Sequence, residues 1–85
     1  MFTFKVIEVH ADATTTPHGN MTFHIAPVVG DMITKNDAQK TGQAYEVMAR
    51  AVAAFDMPDA GDLWVCHRGT ESEHRGRIKK AVAGR

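Results

Sequence analysis

The chain has little cysteine and little tryptophan: one of each, Cys66 and Trp64, in 85 residues. A single Cys excludes an internal disulfide, and a small domain folding without one fits a reducing compartment. The expected location is therefore cytoplasmic. No segment approaches ~18 consecutive apolar residues, so the sequence predicts no transmembrane helix and no membrane partner. The opening MFTFKVIEVH does not read as a secretion signal, because Lys5 and Glu8 interrupt its apolar run and no small-residue cleavage site follows. There is no Walker motif, no dinucleotide fingerprint and no nucleophile elbow. Internal repeats and low-complexity segments are missing too. No cofactor is expected.

What is present is globular in composition, with 44% hydrophobic and 24% charged residues. A chain of this length forms one small α+β domain over 1–85, burying only about 60% of its unfolded surface. The formal net charge is zero, but it is segregated. Residues 1–73 hold five cations against ten acids, and residues 74–85 hold five cations and no acid. An acidic body with a basic tail is the strongest global feature.

Strand signals open the chain. Phe2, Phe4 and Val6 alternate with Thr3 and Lys5, and the phase changes near Val6–Ile7, where a bulge is expected. Residues 11–20 carry Pro17 and Gly19-Asn20 and are predicted as a long polar loop. Met21, Phe23 and Ile25 form a second alternating run ended by Pro27, and residues 28–33 a short third strand. From there the spacing changes. Thr34 with Asp37, or the rival Asn36, resembles a helix cap. Thr41, Tyr45, Met48, Val52 and Phe55 then recur at steps of four and three, which predicts an amphipathic helix of about five turns. Pro58 and Gly61 follow its end. Leu63, Val65 and His67 alternate with Trp64, Cys66 and Arg68, a last strand. Thr70 and Glu73 form a capping box for a short C-terminal helix with a stripe of His74, Ile78, Ala81 and Val82, ended by Gly84. The expected order is β-β-(β)-α-β-α: a small, mostly antiparallel sheet of about three to four strands packed against one long helix.

Each chemical constellation competes with a plainer one. A catalytic Cys66 needs a depressed pKa and a histidine base, but the adjacent His67 points to the opposite face of a strand. His10, His18 and His24 converge across the first hairpin only loosely, and no C-x2-C or H-x3-H spacing marks a zinc site. A metal- or thiol-dependent enzyme centred on Cys66 and the histidines is thus the remote alternative, and no catalytic or metal-ligating residue is assigned. Asp56, Asp59 and Asp62 lack the alternating ligands of a calcium loop and form a second, acidic surface. Arg75 and Lys79 lie one turn apart, with Arg77 and Lys80 on the other flank of the stripe, suited to a phosphate backbone. The acidic body argues against a duplex, so nucleic acid is the second reading. Trp64 and Arg68 project from one side of the last strand and belong to the residue types most enriched at binding hot spots.

The sequence therefore predicts a non-enzymatic binding protein that acts through a protein partner. An inhibitor, adaptor or regulator of the phage, plasmid-accessory or antitoxin kind fits, with a homodimer as a further state. Its expected contact residues are Trp64, Arg68, Arg75, Arg77, Lys79 and Lys80.

Overall fold

Five strands and one helix follow one another in a computed structural model that describes residues 1–84. They are β1 (Phe2–Val9), β2 (Thr15–Phe23), β3 (Met32–Asn36), β4 (Gly42–Val52), β5 (Gly61–Thr70) and α1 (Glu71–Ala83). The sheet order is β2-β1-β5-β4-β3. Three pairings are antiparallel, and the central β1–β5 pair is parallel. No helix among the described residues is long and apolar enough to cross a membrane.

This mostly-β architecture overturns the expected fold. There is no long helix over 41–55, and the sheet is not packed against one. The sheet has five strands rather than three to four, and the helical stripe belongs to β4. Of that stripe only Tyr45 enters the core, while Met48, Val52 and Phe55 are exposed. The residues that resembled a helix cap instead build the β3–β4 turn. The Asp37 carboxylate accepts from the backbone N–H groups of Gln39 and Thr41, and Lys40 takes a positive φ of 62°. Asx turns and helix caps satisfy the backbone in the same way, so the sequence signal is shared between them. In β4 a register shift between Val47 and Ala49 breaks the two-residue alternation and imitates a helical period.

The predicted loop 11–20 is shorter than expected. The chain turns over residues 10–14, closed by His10 N–H donating to the Thr14 carbonyl at 2.9 Å, and β2 starts at Thr15. The β-branched threonines favour a strand there, and Pro17 is tolerated because β2 is an edge. The expected irregularity at Val6–Ile7 is present: Val6 pairs with Gly19 and Ile7 with Pro17, so His18 is the extra residue.

The sheet curls around one face. Phe4, Val6, Ile33, Tyr45, Val47, Leu63 and Val65 form the core, joined by Met21, Phe23, Ala26 and Ala60. A flat five-stranded sheet would hold its edges about 19 Å apart at the usual strand spacing. Here His18 of edge strand β2 lies 3.3 Å from Lys35 of edge strand β3. The edges meet through side chains and have no backbone pairing. Residues 24–31 cross the base of the concave face, tied by Gly30 N–H to the Val47 carbonyl at 2.8 Å and by Arg50 to the Pro27 carbonyl at 3.0 Å.

Candidate functional site

Two groups of functional side chains result. The first is the strand–helix surface that the sequence singles out. Trp64 lies on the convex face of the sheet, half-buried, in a cross-strand row with Ile7 and Ala49. Arg68 points the same way and donates from Nε to Glu46 at 3.0 Å. Cys66, between them, is half-buried, and its neighbour His67 turns to the concave face, as alternation requires.

Helix α1 starts where that strand stops. Its capping box is complete: Glu73 N–H donates to the Thr70 hydroxyl, and Thr70 N–H donates back to the Glu73 carboxylate at 3.1 Å. These bonds, the Thr70 backbone one first, hold the Glu73 carboxyl below its ordinary value, helped by the nearby Arg77 and His67 charges. The first turn rests on the sheet, and a side chain added at Gly42 would meet Glu71. Beyond it, packing stops. Only Glu71 and His74 in α1 are even half-buried, while Ile78 is 48% and Val82 63% exposed. Two of the four helix cations have partners in the body or on the helix. Arg75 is paired with Glu71 at 2.5 Å, and Arg77 donates to the Arg68 carbonyl at 2.6 Å. Lys79 and Lys80 are exposed, and their ammonium groups make no hydrogen bond or ion pair among the described residues. Arg85, the last cation of the tail, lies outside the described residues. Between the helix start and the sheet runs a groove of about 490 Å³, lined by Met32, Glu46, His67, Arg68, His74 and Arg77.

The acidic surface sits at the other end of β5. Asp56 is exposed and Asp59 half-buried in the β4–β5 connection, and Asp62 is half-buried within β5 beside Lys5 and Ala51.

The second group was not assigned from the sequence. A polar chain occupies the mouth of the curled sheet, assembled from all five strands. His18 Nε2–H donates to Glu8 Oε1 at 2.9 Å, and its Nδ1 accepts from the Lys35 ammonium at 3.3 Å. His10 approaches the other Glu8 oxygen at 3.4 Å and bonds Thr16 at 2.7 Å. Tyr45 stands between two imidazoles, its ring centre 5.2 Å from His18 and 5.3 Å from His67. His67 donates to Gln43 at 2.8 Å, and Gln43 to Asp37 at 3.0 Å. Burial raises the Tyr45 phenol above its ordinary value, with the Glu8 and Asp37 charges adding to it. Main-chain bonding from Thr41, with Gln43 and Gln39 behind it, lowers Asp37.

These residues share a face for a reason visible in the strands. Glu8 is in phase with Phe4 and Val6, and His67 with Leu63 and Val65. The bulge at His18 turns that side chain inward. In this arrangement an imidazole bridges a carboxylate and a lysine amine across the unpaired seam between β2 and β3. Of the three histidines weighed as metal ligands, His10 and His18 meet at Glu8, while His24 lies past the far end of β2, where β2 pairs with the start of β1. No three His, Cys, Asp or Glu side chains among the described residues come together as a metal site.

Comparison with family models, with curated proteins and with solved structures finds no match for this chain. Function rests on the sites themselves.

Proposed function

We propose that this protein is a non-enzymatic binding protein, an inhibitor, adaptor or regulator, that acts by presenting α1 to a protein partner. One observation carries the reading: α1 has no buried residue, and its stripe of Ile78 and Val82 faces solvent, flanked by Lys79 and Lys80. A helix of 13 residues that packs only through its start is marginal in water over its outer turns. A groove that accepts anchors one turn apart would both order it and bury the stripe. The partner surface implied is apolar at its centre and acidic at its rim. Trp64 and Arg68, on the convex face of the strand that leads into the helix, add aromatic and arginine anchors of the kind that dominate binding energy. The single unpaired cysteine suits a reducing compartment, and we place the protein in the cytoplasm on that ground.

Nucleic acid fits less well. Arg75 and Arg77 are engaged within the chain, which leaves Lys79 and Lys80 to meet phosphates. Two contacts give a salt slope of about −2, far below that of proteins held by ~6–10 phosphate contacts. The test is a photo-crosslinking residue at position 78 in the full chain, expressed in cells. A protein adduct that survives nuclease and disappears in the Lys79→Glu/Lys80→Glu double variant supports the proposal. An adduct destroyed by nuclease moves the function to nucleic acid, and no adduct at all removes the helix from it.

A further inference from the structure

Two exposed surfaces of this chain complement each other in charge and in apolarity, and they lie at opposite ends of β5. At the end of that strand, α1 offers Ile78 and Val82 rimmed by Lys79 and Lys80. At its start, the β4–β5 connection forms a cleft of about 320 Å³ whose walls include Val52, Met57, Pro58, Asp59 and Asp62, with Lys5 as its one cation. Asp56 stands beside it, and Phe55 of the same loop is 101% exposed. Exposed apolar side chains also occur elsewhere, at Ile25, Val28 and Val29 among others, but among the described residues only at these two places do they sit among charges of opposite sign, the pairing a docking contact needs.

The two surfaces are kept apart within one chain. Ten residues of strand separate their starts by about 30 Å. The helix projects from the body: the molecule extends 46 Å along its long axis and 27 Å across. Its radius of gyration is 13.9 Å, against about 12 Å for a compact domain of this length. A helix that projects from one end cannot fold back to the cleft at the other.

We infer that the occupant of the cleft is the α1 helix of a second copy of this chain. Ile78 and Val82 enter between Val52 and Met57, while Lys79 and Lys80 meet Asp56, Asp59 and Asp62. The contact joins two different surfaces, so it is head-to-tail, and it propagates along a row of copies unless a ring closes. This inference rests on the proposed use of α1 as a docking element and names its partner as self.

The experiment is sedimentation of the full chain across a concentration series at low and at high salt. Self-docking predicts a weight-average mass that climbs with concentration to at least twice 9.3 kDa at low salt and falls back as salt screens the exposed charges. A mass fixed at 9.3 kDa under all conditions overturns it. Two variants then test the surfaces: Lys79→Glu/Lys80→Glu on the helix, both at exposed positions, and Asp56→Lys/Asp59→Lys on the loop, where Asp56 is exposed and Asp59 half-buried. Each alone stays monomeric because its helix and loop then share a sign. Mixed in equal amounts they associate again, which no other pairing of surfaces explains. Variants that associate as the wild type does, or folded variants whose mixture stays monomeric, sink the inference. A monomeric wild type whose position 78 still crosslinks to a different protein removes self-docking and leaves the proposed function standing.

Discussion

Tyr45 is the residue where core and polar chain meet. Its ring is a core member, 9% exposed, and it packs against two imidazoles at inclined angles. Among the described residues the hydroxyl makes no hydrogen bond, and no buried polar side-chain atom is left without a partner. Tyr45→Phe should therefore change the unfolding free energy by no more than ~0.5 kcal/mol in urea titration. Tyr45→Ala should cost about 3–5 kcal/mol, as removal of a buried ring does. The phenol gives a pH prediction of definite sign. Burial raises its folded value, so the folded state keeps a proton that the unfolded state releases. Stability is undiminished below the ordinary phenol value of 10.0 and drains away as pH rises from there through the folded value. Absorbance titration of the single tyrosine against the same protein in urea measures it. A folded midpoint at or below the unfolded one would refute the assignment. The polar chain around Tyr45 was only half legible in the sequence. Glu8 and His67 announce themselves as polar residues in phase with the apolar alternation of their strands, a sign that the inward face turns polar at one end. Lys35 and Gln43 are in phase with Ile33 and with Tyr45 and Val47 in the same way, but that phase is hidden where the sequence reads as a helix, and His18 gives no sign because a bulge turns it inward.

Among the elements, β5 and α1 were legible and the β3–β4 hairpin was not, for a physical reason. The alternation over Leu63–Arg68 and the Thr70–Glu73 box are local codes that nothing overrides. In β4 a bulge and an Asx turn reproduce the spacing and the cap of a helix, and only long-range pairing with β5 separates the two. The β5 start has its own requirement. Gly61 has a φ of 131°, and an added Cβ would strike the Ala51 carbonyl oxygen. Gly61→Ala should cost at least about 3 kcal/mol, combining backbone strain with displacement of β4, enough to leave much of so small a domain unfolded by circular dichroism. At the other end of the strand, Thr70→Ala removes one half of the capping box and should weaken the helix by about 1 kcal/mol. Glu73 supplies the other half with a carboxyl held low. Its contribution is present above the ordinary glutamate value and is lost as pH falls through the folded one. Helicity should fray from the first turn on acidification, and that acid-induced loss should shrink in Thr70→Ala. An equal acid response in both proteins would mean that the box does not hold the helix.

As a whole the molecule is a curled sheet with its core inside and a helix projecting from one end. The sheet holds every buried residue apart from Pro27 in the connection between β2 and β3, and the helix holds none. Stability and the proposed binding are thereby separated along the chain. The sheet's free energy comes from burying seven core side chains, none of which touches the stripe on α1 for its burial. The outer turns of α1 receive no such support, so their free energy of folding is close to that of an isolated peptide. Local opening of such a segment is a sub-global event, decoupled from unfolding of the core. Lys79→Pro separates the two directly. Proline there removes a backbone bond and collides with the carbonyl one turn earlier, at Arg75, which costs roughly 3 kcal/mol in a helix interior. If the helix carried part of the core, that cost would appear in the urea midpoint of the whole protein. With the helix free, the midpoint should stay within ~0.5 kcal/mol of wild type while ellipticity at the helical band falls and crosslinking from position 78 disappears. A drop of several kcal/mol in Lys79→Pro would show instead that α1 is integral to the fold and that its exposed stripe is a structural compromise.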